Sequence, residues 1–282
     1  MRVLVTGAAG MVGGAVSRHL AARDHQVLPL DHAGLDIADR DSVIAAITRE
    51  KPDVVINCAA WTDVDGCESN AAKAYAVNAQ GPENLAVASR RVGASLLTIS
   101  TDYVFDGLKQ GFYTQRDDPN PQSVYAASKL EGERRAQMAS ARTIVIRTGF
   151  IFGPGGKNFL SILAEGEFTD QPVRAISDAV GTPTYASDLA RRLLELAELD
   201  LPGVFHVVNG GSGASYLEFA SAVAGKSGKR FQIEPVTDAS LGRAARRPAN
   251  SRLKCLYSEA LGLKPLRSWE EALAEFVSRQ AI

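Results

Sequence analysis

Short apolar runs alternate with longer alanine-rich stretches along the first 150 residues of the chain. The runs are continuously apolar, which is typical of strands that are buried on both faces of a parallel sheet. The stretches between them have the length and composition of helices. Strands separated by helices predict a doubly wound α/β sheet. The predicted strands cover residues 2–5, 26–30, 54–56, 96–99 and 143–146, and the predicted helices cover residues 12–23, 41–50, 71–92 and 123–140.

A glycine motif joins the first predicted strand to the first predicted helix. Its spacing is Gly7-x-x-Gly10-x-x-Gly13, with Met11 and Val12 between the last two glycines. Glycines in this turn let a pyrophosphate approach the N-terminus of the helix, where free N–H groups and the helix dipole favour an anion. The motif predicts a dinucleotide site, and the alternative is a glycine-rich turn without a ligand.

The pattern changes after residue 150. A glycine and proline loop at residues 153–156 is followed by short helical pieces, a strand-like run at 204–208 and a helix that begins at Tyr216. We therefore expect a dinucleotide-binding core in residues 1–150. Residues 151–282 are expected to form mainly a smaller, substrate-binding lobe, interleaved with elements that return to the core sheet.

Carboxylates at the end of the second predicted strand indicate which nicotinamide cofactor is preferred. Asp31 stands eighteen residues after Gly13, close to the spacing of an acid that binds the adenosine ribose. A carboxylate there repels a 2′-phosphate, so Asp31 favours NADH over NADPH, with use of both left open; the alternative is a loop cap. Asp36 and Ile37 are candidates to flank the adenine, and the competing interpretation is that Asp36 begins a helix.

Small residues follow the strand at 54–56. Ala59 and Ala60 leave room for a flat cofactor to pass, and Trp61 and Thr62 are then expected beside the nicotinamide ribose.

Tyr125 and Lys129 are the candidate chemical centre. They are four residues apart on a predicted helix, so their side chains share one face. A nearby ammonium favours phenolate, so we expect a lowered pKa for Tyr125 and a role as general acid or base. The alternative is an exposed helix face. Thr101, at the carboxyl end of a predicted strand, is expected to polarise a carbonyl oxygen beside Tyr125. Asp102 either holds a sugar hydroxyl or shapes a turn.

Composition narrows the function classes. The net charge of −1 gives no bulk attraction to nucleic acid or to an anionic membrane. No apolar run approaches the length of a membrane span, and the N-terminus shows no signal peptide. Three cysteines indicate reduced thiols in a cytoplasmic protein, and neither they nor the four histidines form a metal-ligand cluster.

These residues together resemble the dTDP-4-dehydrorhamnose reductase family of the extended short-chain dehydrogenase/reductase superfamily. The narrowest matches are Ser-Thr-Asp-Tyr-Val-Phe at 100–105 and Arg-Pro-Ala-Asn-Ser at 247–251. The resemblance implies NAD(P)H-dependent reduction of the C4 keto group of a dTDP-4-keto-6-deoxy sugar, most closely dTDP-4-dehydro-L-rhamnose. It implies substrate contacts from Thr101 and Asp102, and a possible homodimer. It implies cofactor contacts from Gly10, Met11, Val12, Asp31, Asp36, Ile37, Ala60, Trp61, Thr62, Tyr125 and Lys129.

The chain departs from the family at one place. After Arg147-Thr148 the family usually has a serine and then a tryptophan that packs against the sugar, whereas this chain has Gly149 and Phe150. Phe150 keeps a flat apolar surface for the substrate and lacks the indole N–H donor. The identity of the sugar is therefore left open. A basic cluster is a candidate for the substrate pyrophosphate, or else a solvated surface, and it contains Arg243, Arg246, Arg247 and Arg252.

Two other functions stay open at this point. The chain could be another nucleotide-sugar reductase or an epimerase of the same superfamily. A dehydratase is disfavoured because no glutamate follows Thr101-Asp102. The chain could also be a non-catalytic regulatory subunit resembling that of methionine adenosyltransferase, although Thr101, Tyr125 and Lys129 argue for catalysis.

Overall fold

The computed structural model describes residues 1–166, 171–227 and 231–280. Its centre is a parallel sheet of six strands in the order β10-β5-β4-β3-β1-β2. The order reverses direction at β1 and β3, which is the switch point of a doubly wound sheet where ligands bind at the carboxyl ends of the strands. The six strands are β1 (Arg2–Thr6), β2 (Gln26–Leu30), β3 (Val54–Asn57), β4 (Ser95–Thr101), β5 (Thr143–Thr148) and β10 (Gly203–His206).

Helices connect and cover these strands. A π-helical turn at Ala76–Gln80 continues one helix into the next without a loop. Helices α1–α6 belong to the first half of the chain, and α7–α10 to the second. They are α1 (Met11–Ala21), α2 (Arg40–Glu50), α3 (Val64–Ser69), α4 (Ala71–Tyr75), α5 (Gly81–Val92), α6 (Val124–Ala139), α7 (Phe159–Glu165), α8 (Ala186–Leu199), α9 (Tyr216–Ser227) and α10 (Trp269–Gln280).

The sheet buries both faces. Successive side chains of a strand point to opposite faces, and in β1 the side chains of Val3 and Val5 pack in the cluster that contains Val16 of α1 and Leu193 of α8. Leu4 points the other way, into the cluster built with α2 and α5. The continuously apolar strands follow from this double burial.

A second core lies in the later part of the chain. Phe152, Tyr185, Phe219 and Phe276 are fully buried, and Phe152 contacts the other three rings at centroid distances of 5.3 to 6.0 Å. Short strand pairs frame this core. They are β6 (Ile151–Phe152) with β9 (Thr184–Tyr185), β7 (Val173–Ile176) with β12 (Ile233–Val236), and β8 (Val180–Gly181) with β11 (Ala214–Ser215).

The predicted α/β class and the positions of the predicted strands are confirmed. Three boundaries differ. Strand β4 extends to Thr101, the predicted helix over 71–92 contains the π-helical turn, and the predicted strand at 204–208 ends at His206. Within the described residues, no helix has both the length and the apolar character needed to cross a membrane.

Candidate active site

The glycine motif forms a tight turn between β1 and α1. Gly7 has φ +65°, and a Cβ there would lie 2.7 Å from the backbone nitrogen of Ala59 on the neighbouring strand end. A Cβ on Gly13 would lie 2.2 Å from the carbonyl oxygen of Gly7. Both positions therefore require glycine, because any side chain would push α1 away from β1.

The N-terminus of α1 is open for a ligand. Gly10 is the N-cap residue, and among the described residues no side chain caps the first turn, which also carries no acidic residue. Unpaired N–H groups and the positive end of the helix dipole make such a terminus a site for an anion. The cradle fits the pyrophosphate of a dinucleotide.

A cavity of about 860 Å³ extends from this turn along the carboxyl edge of the sheet. Its size is within the range of small-molecule sites. The walls come from the glycine turn, the ends of β3, β4 and β5, helix α6 and the later part of the chain. Fourteen of the candidate residues from the sequence line it, namely Gly10, Met11, Val12, Gly13, Ala59, Ala60, Thr62, Thr101, Asp102, Tyr125, Lys129, Phe150, Arg243 and Arg247.

Seven other candidates lie outside this lining, namely Gly7, Asp31, Asp36, Ile37, Trp61, Arg246 and Arg252. Asp31 is exposed at the end of β2, and its Oδ1 accepts a hydrogen bond from the nitrogen of Gly34 at 2.9 Å. It lies beside the glycine turn, because Ala8 donates its N–H to the carbonyl of Leu30. Trp61 is held by Asn78 through its backbone, and the Lys73 ammonium lies 4.4 Å from the centre of its ring.

The Asp36–Ile37 pair needs two corrections. Asp36 does not begin α2, because Asp39 is the N-cap residue and its side chain accepts from Asp41 and Ser42. The side chain of Ile37 is buried in the core, so only its backbone is left to face a ligand. The sequence alone could not identify the N-cap of α2, because Asp36 and Asp39 are three residues apart and either carboxylate could cap the helix.

Helix α6 places Tyr125 and Lys129 together in the cavity wall. Its N-cap is Ser123, whose hydroxyl accepts a hydrogen bond from the nitrogen of Ala126. Both side chains are buried. The expected lowering of the Tyr125 pKa is wrong for this structure. Burial raises the pKa of Tyr125, and interaction with the Thr101 hydroxyl offsets only part of that rise.

Lys129 points to the sheet. Its Nζ donates to the carbonyl oxygen of Ile99 at 2.6 Å. Burial lowers the pKa of Lys129 to about 8, against an opposing effect of Glu133. The ammonium is therefore charged in most molecules at pH 7, while the phenol of Tyr125 keeps its proton.

Thr101 and Asp102 form a hydrogen-bonded pair where β4 ends. The hydroxyl of Thr101 donates to Asp102 Oδ1 at 3.0 Å and accepts from the nitrogen of Tyr103. Asp102 is almost fully buried, and its Oδ2 has no hydrogen-bond partner among the described residues. Burial raises the pKa of the Asp102 carboxyl to about 6. In this state the Thr101 proton is directed to Asp102, not into the cavity.

Phe150 has a left-handed backbone, with φ +47°. This conformation is uncommon for a bulky residue and is often found at functional sites. The ring of Phe150 packs against that of Tyr216, with centroids 4.7 Å apart, and lines the cavity. Phe150 and Tyr216 therefore present a flat apolar surface to the cavity.

The four candidate arginines separate into two groups. Arg243 and Arg247 line the cavity, whereas Arg246 and Arg252 do not. Arg247 binds the carboxylate of Asp65 with two nitrogens, at 3.1 and 2.7 Å. Arg252 is held by Asn250 and by backbone carbonyls, which is a structural role.

Several lining residues were not predicted as site residues. Lys157 and Asn158 directly precede α7, and Phe159 is its first residue. Tyr216, Tyr103 and Cys58 also face the cavity. The sequence signal for the first three is the Lys-Asn-Phe run that directly follows the glycine-rich loop at 153–156. Among the described residues, no group of three His, Cys, Asp or Glu side chains could hold a metal ion.

Comparisons with known proteins identify the family of this chain. The family described as the RmlD substrate binding domain matches residues 1–282. A dTDP-4-dehydrorhamnose reductase of Mycobacterium tuberculosis H37Rv is 40% identical over 99% of this chain and 93% of its own. A crystal structure of a dTDP-4-dehydrorhamnose reductase from Clostridium acetobutylicum has a TM-score of 0.95 and 37% identity, with 100% of both chains covered. A Bacillus anthracis enzyme with the same name, in complex with NADP, has a TM-score of 0.93, 34% identity and 99% coverage of both chains.

Proposed function

Because the chain belongs to the dTDP-4-dehydrorhamnose reductase family, we propose that it reduces the C4 keto group of dTDP-4-dehydro-L-rhamnose, giving dTDP-L-rhamnose. One observation carries the proposal. Thr101, Tyr125 and Lys129 line the same cavity as the uncapped N-terminus of α1. A phenol, a hydroxyl and an ammonium thus lie beside a cradle for a dinucleotide, which is the set that carbonyl reduction requires.

When bound, a reduced nicotinamide cofactor supplies the hydride. Tyr125 supplies the proton to the oxygen at C4. Its raised pKa keeps the phenol protonated at neutral pH, as a general acid for reduction must be. Lys129, charged and fixed at the Ile99 carbonyl, is assigned to the cofactor as a donor to its ribose.

Thr101 needs its neighbour to act on the substrate. As long as its hydroxyl donates to Asp102, that proton is not available to a carbonyl oxygen. When the buried Asp102 is protonated, it can donate to Thr101 instead, and the Thr101 proton can then turn to the substrate oxygen. We therefore assign Thr101 as the group that orients the oxygen and Asp102 as the group that sets the direction of its proton.

The choice of cofactor rests on Asp31. The cavity and the uncapped helix support a nicotinamide cofactor, and the exposed carboxylate of Asp31 beside the glycine turn favours NADH by repelling a 2′-phosphate. The Bacillus anthracis relative was solved with NADP, so we propose that this chain uses both cofactors and prefers NADH.

The nucleotide part of the substrate is assigned to the later part of the chain. Arg243 and Arg247 bring two guanidinium groups to the cavity wall, and Phe150 offers an apolar surface for the deoxy sugar. A homodimer and a cytoplasmic location stay predictions, which sedimentation velocity and cell fractionation test.

The test is oxidation of NADH and of NADPH, followed at 340 nm, with enzymatically prepared dTDP-4-dehydro-L-rhamnose. We expect stoichiometric oxidation with both cofactors and a higher kcat/KM with NADH. Tyr125→Phe should lose at least about a hundredfold in kcat and still bind cofactor. An epimerase would show no net oxidation, because its cofactor is regenerated in each cycle. Wild-type rates in the Tyr125→Phe variant would contradict the assignment of the acid.

A further inference from the structure

A buried ion pair lies directly behind Lys129. Glu133 is one helical turn beyond Lys129 on α6 and shares its face. Its carboxylate accepts from the hydroxyl of Ser100 at 2.5 Å, and from Nε and Nη2 of Arg147 at 3.0 and 2.7 Å. Both charged side chains are buried, with 3% of Glu133 and 8% of Arg147 exposed. A charge buried this deeply is retained only with such partners.

The pair and Lys129 are fixed to the same strand. Lys129 donates to the carbonyl of Ile99, and the next residue, Ser100, donates to Glu133. The end of β4 therefore anchors both the ammonium of Lys129 and the carboxylate of Glu133. Burial favours loss of the Lys129 proton, and Glu133 acts in the opposite direction.

We propose that Glu133 is a positioning residue for the reduction. It keeps the ammonium of Lys129 charged and docked at Ile99, and Arg147 limits how much of its negative charge acts on Lys129. Glu133 does not line the cavity, so it acts through Lys129 and touches neither substrate nor cofactor. The inference rests on the proposed reductase function, because the protonation of Lys129 is read through that reaction.

Other charged and titratable groups around Lys129 come from several elements. Burial raises the pKa of the Cys58 thiol, after β3, to about 12, and of the Cys67 thiol, on α3, to about 11. Burial also raises the pKa values of the Tyr103 and Tyr125 phenols, and it raises the pKa of the Asp102 carboxyl to about 6. Between pH 7 and pH 10 the group in this set that changes charge is therefore Lys129. The fixed charges behind it are Glu133 and Arg147.

The experiment is the pH dependence of kcat/KM for wild type and Glu133→Gln between pH 6 and pH 10. Ionisation of Asp102 near pH 6 affects wild type and variant alike and cancels in the ratio of their rates. The reaction also needs charged Lys129, so activity falls further above the pKa of Lys129. Loss of the neighbouring carboxylate lowers that pKa, and the basic limb should move down by about one unit or more. The ratio of wild-type to variant rates should therefore grow about fivefold, from about 2 at pH 7 to about 9 at pH 9, for a shift of about one unit.

Two variants separate this effect from simple damage to the core. Glu131→Gln removes a carboxylate from the outer side of the same helix, where Glu131 pairs with Arg135, and should leave the limb in place. The double variant Glu133→Gln/Arg147→Gln also removes the uncompensated guanidinium. Its limb should lie between those of the single variant and wild type, although it has lost more of the buried network.

A limb that is unchanged in folded Glu133→Gln, or lower in the double variant than in the single one, would overturn the proposal. If Glu133→Gln does not fold, Glu133→Asp replaces it in the test. This variant keeps the negative charge, so a basic limb that moves down by about one unit would count against the proposal. If the wild type oxidises no cofactor at any pH, the proposed function fails. NADH fluorescence titrations then still test the inference. As the pH is raised, cofactor affinity should begin to weaken at a lower pH in Glu133→Gln than in wild type.

Discussion

The sharpest structural prediction concerns Gly149, which stands at the end of β5 beside Phe150. A Cβ on Gly149 would lie 2.2 Å from Cγ of Asp102 and 2.3 and 2.5 Å from its two oxygens. Non-bonded carbon atoms prefer about 3.5–4.0 Å. The Gly149→Ala variant therefore requires the buried carboxyl of Asp102 to move by more than about 1 Å.

The displacement should reach the reaction through Thr101, whose hydroxyl is bonded to Asp102 at 3.0 Å. A misplacement of about 1 Å at a catalytic site can cost about a hundredfold in rate. Overpacking a core typically costs about 1–3 kcal/mol, which corresponds to a fall in Tm of roughly 2–10 °C for a chain of this size. We expect both losses in Gly149→Ala, with cofactor affinity little changed because the glycine turn lies elsewhere in the cavity.

The assay combines steady-state kinetics, NADH titration and thermal unfolding. Gly111→Ala is the matched control, because a Cβ there meets nothing within 4 Å, and it should change neither rate nor Tm. Wild-type kcat/KM and Tm in Gly149→Ala would refute the reasoning, since they would show that Asp102 is free to move without consequence.

Three further predictions follow from individual contacts. Replacing Asp31 by alanine should raise the kcat/KM for NADPH relative to NADH by about tenfold, measured with both cofactors at fixed ionic strength. Replacing Asp65 by asparagine should weaken the anchor of Arg247 and raise KM for the nucleotide sugar by about tenfold, with kcat changed less. Burial lowers the pKa of His206 to about 4. As the pH falls, His206 is therefore protonated in the unfolded chain before it is protonated in the folded one. Stability should fall by about 3 kcal/mol as pH drops from 6.5 to 4, and less in His206→Gln, measured by urea unfolding.

The fold was predictable because its central strands are continuously apolar and buried on both faces. The glycine turn, Tyr125 and Lys129 were predictable for a related reason. Their spacing is set by local geometry, namely one turn of helix and the junction of β1 with α1. These features depend on neighbours in sequence, which a single chain displays directly.

What failed depends on neighbours in space. The lowered pKa predicted for Tyr125 assumed that Lys129 would act on the phenol, but the structure buries the phenol and directs the ammonium to the Ile99 carbonyl. The network of Glu133, Ser100 and Arg147 joins α6 to two strands, and the spacing of these residues in the sequence does not predict it. Desolvation and long-range pairing of this kind appear only once the chain is folded.

The most direct measurement of the central claim is transfer of deuterium from a nicotinamide cofactor deuterated at the reacting carbon. The deuterated cofactor is mixed with dTDP-4-dehydro-L-rhamnose, and the product sugar is examined by NMR and mass spectrometry. We predict one deuterium per sugar, located at C4, with one cofactor oxidised for each product formed. Deuterium at another carbon, or a new sugar formed without net oxidation of cofactor, would contradict C4 reduction by this chain.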